Sequence, residues 1–205
     1  MGRRFAEIAF TDTVRQVQAA LGSRRGYEKV ERDGEAGDRI GPQEASFIAA
    51  RDSFYMASVG ETGWPYGQHR GGPAGFVRVL DEGTIGFADF RGNKQYVSVG
   101  NVLGDDRVAL FFMDYANRAR LKLYGRVRLV GDGPSDVLKR LQMPEYEAAV
   151  ERGFVIGVEA FDWNCPQHIT PRYTSGQVET ATAALHHRIG ELEALLRHHG
   201  IAPDG

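Results

Sequence analysis

One cysteine, Cys165, stands in the 205 residues of this chain, so no intrachain disulfide can form and packing has to hold the fold. No apolar run approaches the length a membrane helix needs and no export signal opens the chain, so a cytoplasmic protein with no membrane contact is the expectation. Neither sign of charge dominates. The 25 basic and 27 acidic residues leave a formal net charge of -2, which excludes a general pull toward nucleic acid or anionic lipid. Any anion site must therefore be local. The nucleotide loops GxxxxGKS/T and GxGxxG are missing, as are the hydrolase and metalloprotease signatures GxSxG and HExxH. No metal site is expected either. His187 and His198 share a helix face but stand about 16 Å apart at the rise of a helix.

Hydrophobic residues make up 42% of the chain, enough for the core of one domain. Residues 11–21 carry Val14, Val17 and Leu21 at helical spacing behind Asp12 as a cap, and 42–51 form a second helix with Pro42 in its first turn. The polar stretch 23–41 reads as an arm or long loop. Strand grammar follows. FYMASV (54–59) and WPYGQHR (64–70) form a hairpin around 60–63, and FVRVL (76–80) and TIGFADF (84–90) form another around 81–83. RVALFFM (107–113) is apolar almost throughout, which predicts burial on both faces. RLKLYGRVRLV (120–130) alternates without a break, and FVIGVEAFDW (154–163) closes the series. This pattern predicts a mainly β fold, a six-stranded antiparallel barrel with peripheral helices. A last helix, 177–199, sets Leu185, Ile189, Leu192 and Leu196 at seam spacing, suited to packing on its own barrel or to pairing between subunits.

The segment from His69 to Asn101 sets glycine-flanked cations between short strands. Arg70 precedes Gly71 and Gly72, and Lys94 follows Gly92 with Asn93 as a cap for a helix from Gln95 to Val102, so two cations and free amides can meet one anion. A solvated lysine at a helix start is the plainer reading of Lys94. Each charge-assisted contact contributes about 1.5–3 kcal/mol, whereas micromolar retention needs about 8 kcal/mol. Stacking on a flat ring must supply the rest, and Phe87, Phe90, Tyr96, Tyr124 and Trp163 offer surface for it. The basic face of 120–130, with Arg120, Lys122, Arg126 and Arg128, repels itself unless ligand anions or neighbouring carboxylates meet it. Cys165 has no acid or base placed beside it by sequence, so it is not read as a nucleophile. Gln167 is a better candidate for hydrogen bonding a ring edge.

FYMASVGETGWPYGQHRGGPAGFVRVLD, GFADFRGNKQYVSVGN, MDYANRARLKLYGRVR and WNCPQHITPR together resemble the pyridoxamine 5'-phosphate oxidase-like flavin proteins, the FMN-binding split-barrel superfamily, in its FMN-dependent branch. The resemblance spans residues 1–173. It implies a split barrel that dimerises, with FMN in clefts between the subunits. It further implies a phosphate-binding Arg70 flanked by His69 and Gly71, a strand-end Phe87 and Ala88, and a helix-opening Lys94 with Asn93 before it. Arg120 would meet the ring edge, and the segment holding Gln167 would arrive from the other subunit. The substrate-phosphate motif of true pyridoxamine phosphate oxidases is missing after the fifth strand, and so is their RLxP ending, so vitamin B6 oxidation is not implied. The expectation is an FMN-dependent oxidoreductase, a homodimer acting on a small molecule, with no catalytic side chain assigned. An F420-dependent reductase and a flavin-binding or sensing module are the alternatives. The chain divides into an arm (1–52), the barrel (53–173) and a C-terminal helix (174–205).

Overall fold

The computed structural model describes residues 2–131, 133, 135–163 and 165–202. Four helices come first: α1 (Arg3–Ala9), α2 (Asp12–Ala20), α3 (Arg24–Asp33) and α4 (Pro42–Ala49). They lead into β1 (Ser53–Val59), β2 (Pro65–Gly71), β3 (Val77–Asp81) and β4 (Thr84–Phe90). Then follow α5 (Val97–Gly104), β5 (Arg107–Asp114), β6 (Ala119–Val130), α6 (Asp136–Leu141), β7 (Val150–Trp163) and α7 (Ser175–His198).

All seven strands pair antiparallel in one sheet ordered β2-β1-β5-β6-β7-β4-β3. Every segment read as a strand is one, so the corrected count is seven rather than six. The sheet is open between β2 and β3 but curls until β2 lies against β4, where Arg70 and Asp89 form an ion pair. Inside the curl sit Phe54, Phe76, Phe87, Phe112 and Phe154, each essentially fully buried. Period-two alternation puts them there: β1 buries Phe54, Met56 and Ser58 and turns Tyr55, Ala57 and Val59 outward. β6 buries Leu121, Leu123, Gly125 and Val127 in the same way. A side chain at Gly125 would come 2.5 Å from Ile156 Cγ2 and 2.7 Å from the Gly157 carbonyl, so only glycine fits beside the bulge between Tyr124 and Gly125.

β5 departs from the expectation of burial on both faces. Val108, Leu110 and Phe112 are buried, whereas Ala109, Phe111 and Met113 are half-exposed on the outer face of the sheet. The arm also differs. Residues 24–33 form α3 because ion pairs along and between helices offset their polarity: Arg24 pairs with Glu28 and Glu31, and Arg15 of α2 reaches Glu31 at 3.2 Å. Thr11, not Asp12, caps α2, accepting from the Val14 amide. Its buried residue is Gln18, and Val17 and Leu21 remain exposed. α1 lays Phe5 flat on Tyr124 of β6 at 4.7 Å. Glu44 of α4 is buried and accepts from the Gly41 amide and, at 2.7 Å, from Trp163 Nε1.

Candidate functional site

Alternation along β2 sends Tyr66, Gln68 and Arg70 to the inner side and His69 to the outer one. Arg70 faces the gap of the split barrel, where Nη1 donates to Asp89 Oδ1 at 2.6 Å. Its guanidinium carbon lies 5.0 Å from the Phe154 ring centre and 5.7 Å from that of Phe87. Arg152 of β7 approaches the other Asp89 oxygen at 3.3 Å and covers Tyr96 at 5.0 Å. Asp89 is thus a buried carboxylate between two guanidiniums. Burial raises its pKa above the ordinary aspartate value, outweighing the pull of Arg70 and Arg152. Arg70 keeps a buried Nε that makes no hydrogen bond, beside a cavity that Arg70 and Asp89 line, whereas Arg152 meets Asp89 through its own Nε and does not line that cavity.

The cavity measures about 60 Å³ and is lined by Arg70, Asp89, Asn93, Lys94, Tyr96 and Glu151 among others. A cavity needs about 10–15 Å³ by this measure to hold one water, so this space takes a small group such as a phosphoryl. Its outer wall is a turn rather than the expected helix start. Asn93 Oδ1 accepts from the Gln95 amide at 3.3 Å, Lys94 and Tyr96 both adopt left-handed backbone with φ of 59° and 55°, and α5 opens only at Val97. Two left-handed non-glycine residues so close together mark a shaped turn at the cavity wall. Lys94 is exposed. Glu151 accepts from Arg91 and from the Tyr96 hydroxyl, each at 3.1 Å. Burial pushes the Glu151 carboxyl up, but these bonds and Arg152 bring it below its ordinary value.

A second region lies on the outer face. Arg120 is half-buried with an Nε that has no acceptor, and it lines a cavity of about 390 Å³ with Tyr55, Tyr115, His168, Thr170 and Arg172 among others. No carboxylate stands among the lining residues. His69 belongs to this side, its ring 5.5 Å from that of Tyr55. Two others of the basic row are met by neighbouring carboxylates: Lys122 pairs with Asp162 at 3.0 Å, and Arg126 with Asp106 at 2.7 Å and Glu159 at 3.2 Å.

Of the expected site residues, the structure brings together Arg70, Asn93 and Lys94, and it places His69 and Arg120 on the opposite face. Phe87 and Ala88 are each 1% exposed, and Phe87 stacks on Phe154 at 4.9 Å; their side chains are core and present no surface for a ring. Gly71 ends β2, exposed. Gln167 is exposed beside the left-handed His168, and Asn164, in the same segment, lies outside the described residues. Asp89, Glu151 and Arg152 were not anticipated. The one local signal was an aspartate within the otherwise apolar run of β4, a residue type that is buried only when paired.

The family model for pyridoxamine 5'-phosphate oxidase matches residues 40–156. A search of curated proteins gives no match. Among solved structures, a HupZ variant of Group A Streptococcus aligns with a TM-score of 0.50 at 15% identity, over 61% of this chain and 99% of that one. A putative pyridoxamine 5'-phosphate oxidase from Lactobacillus delbrueckii aligns at 0.47 and 16% identity, over 61% of this chain and 94% of its own. An FMN-binding protein from Syntrophomonas wolfei aligns at 0.46 and 13%, over 75% and 96%. The HupZ likeness, at this identity, speaks to the fold alone. The stretch matched by the family model runs from Ile40, two residues before α4, into the middle of β7, and so takes in β1 to β6 and the first half of β7; on that match the chain belongs to the pyridoxamine 5'-phosphate oxidase family.

Proposed function

We propose that this protein is an FMN-dependent oxidoreductase that works as a homodimer on a small molecule. The observation that carries this reading is the phosphoryl-sized cavity lined by Arg70, whose buried Nε is unmet, and by Lys94. Arg70, Lys94 and Asn93 would hold the phosphate, with Arg152 bracing Asp89. Asp89 and Glu151 anchor the guanidiniums and keep the empty cavity from accumulating positive charge. His69, Tyr55 and Arg120 occupy the opposite face, and Gln167 is exposed beside His168 of that second cavity. They would contribute through the partner subunit, across an outer face where Tyr55 is 49% and Val59 38% exposed.

When bound, the flavin would supply electron transfer and the protein its orientation and exclusion of water. Arg120, with no carboxylate nearby, would hold negative charge at a ring edge. The substrate would lie in the cavity of about 390 Å³, which is in the range of small-ligand sites. In this reading residues 53–173 carry the cofactor, the 1–52 arm braces β6 through Phe5, and Cys165, exposed, stays a free thiol in the cytoplasm. No helix among the described residues is long and apolar enough to cross a membrane. The test is an absorption spectrum of the purified protein, which should show a bound flavin; folded protein that is colourless and takes up no added FMN would sink the proposal.

A further inference from the structure

The longest helix of the molecule touches almost nothing. α7 runs 24 residues with none of its described residues buried, a rod of about 36 Å at 1.5 Å per residue. Its apolar side chains nonetheless lie in one line. Val178, Thr182, Leu185, Ile189, Leu192 and Leu196 follow at alternating steps of four and three, and the apolar five are 37–63% exposed. That is a heptad seam with Val178, Leu185 and Leu192 at d and Thr182, Ile189 and Leu196 at a. We propose that α7 pairs in parallel with α7 of a second copy of this chain, forming a two-stranded coiled coil.

Three features select this occupant. The β-branched Thr182 and Ile189 at a, with leucine at two of the three d positions, favour two parallel strands. The Thr182 hydroxyl already donates to the Val178 carbonyl at 2.9 Å, so it can enter the seam without leaving an unmet donor. The flanking charges complement themselves. Arg188 at g faces Glu193 at e of a parallel partner, twice by symmetry, whereas antiparallel pairing sets g against g and offers Arg188 only Ala181, Arg188 or Leu195. Within one chain Arg188 bonds Glu191 at 2.7 Å and Arg197 lies 3.6 Å from Glu193, pairs along the flank that leave the seam uncovered. Gly190 lowers the intrinsic helicity of the segment, so its stability depends on what covers the stripe. The proposal does not rest on the cofactor reading.

Cysteine scanning of the full chain tests it. In a Cys165→Ser background, Leu185→Cys and Leu192→Cys should each form a disulfide-linked dimer under mild oxidation, because opposed d positions lie within disulfide reach. His187→Cys, on the outer face, should lose that linkage. Glu193→Arg should reduce linking at Leu192→Cys, and adding Arg188→Glu should restore it. Linkage at neither leucine, at only one of them, or equally at His187→Cys overturns the parallel coil, as does indifference to Glu193→Arg. All these positions are exposed or nearly so, and circular dichroism checks that each variant folds. Flavin absorbance reads the cofactor separately, so either proposal can fail without the other.

Discussion

Arg70 and Arg120 are the same residue type at two mouths of one barrel, each with a buried Nε that finds no acceptor, yet their surroundings differ in kind. Arg70 is clamped by Asp89, flanked by two phenylalanine rings, and opens on about 60 Å³. Arg120 has no carboxylate on its cavity walls and opens on about 390 Å³. The first is tied into the fold by a buried ion pair as well as facing a cavity; the second only faces a cavity. A buried ion pair is not strong evidence of added stability, but removing one partner strands the other in a medium that penalises its charge.

The sharpest break of the comparison is therefore Arg70→Ala, which leaves Asp89 with Arg152 only. It should cost about 3 kcal/mol of folding stability, read by urea denaturation of the cofactor-free protein, and Asp89→Asn in the same chain should recover part of it. An Arg70→Ala variant as stable as the parent would erase the distinction between the two mouths. Next in size are Lys94→Ala and Arg120→Met. Each should leave stability within about 0.5 kcal/mol and weaken FMN by roughly tenfold, about 1.5 kcal/mol. Titration by flavin fluorescence checks the affinity, and a stability loss comparable to that of Arg70→Ala would place these residues in the fold.

The smallest effect concerns pH. Burial raises the pKa of Asp89, so the folded protein binds this proton more tightly than the unfolded chain does. That contribution is present below the ordinary aspartate pKa and is lost as pH rises through the raised one. Asp114 has the opposite sign. Burial pushes it up, but Asn117 and Arg51 more than compensate and lower its pKa, so its contribution is lost as pH falls. Stability profiles of the parent and Asp89→Asn should diverge, with the variant gaining on the parent as pH rises through the Asp89 window. Parallel profiles would mean that Asp89 is not desolvated.

Much of the barrel was legible because strand alternation is local. β6 reads inward and outward directly from its sequence, and the β1–β2 and β3–β4 turns are marked by glycine. β5 was misread because an unbroken apolar run looks the same whether its second face meets a core or an open outer surface. α3 was hidden for a related reason: its ion partners lie a turn away or on another helix, and polarity alone resembles a loop. Within the candidate site, Arg70 was legible from the glycines after it. The opposed faces of His69 and Arg70 followed from the strand period, but the family resemblance grouped them.

From sequence alone came the strand segments, the alternation of β6, the balance of charge and the two cations at the phosphoryl-sized cavity, since each depends on residues a few positions apart. Only the tertiary structure decided that Asp89 and Arg152 join Arg70, that Phe87 is core, and that Arg120 faces away. Those outcomes depend on how far a seven-stranded sheet curls before β2 meets β4, and that curl is set by packing across the whole sheet.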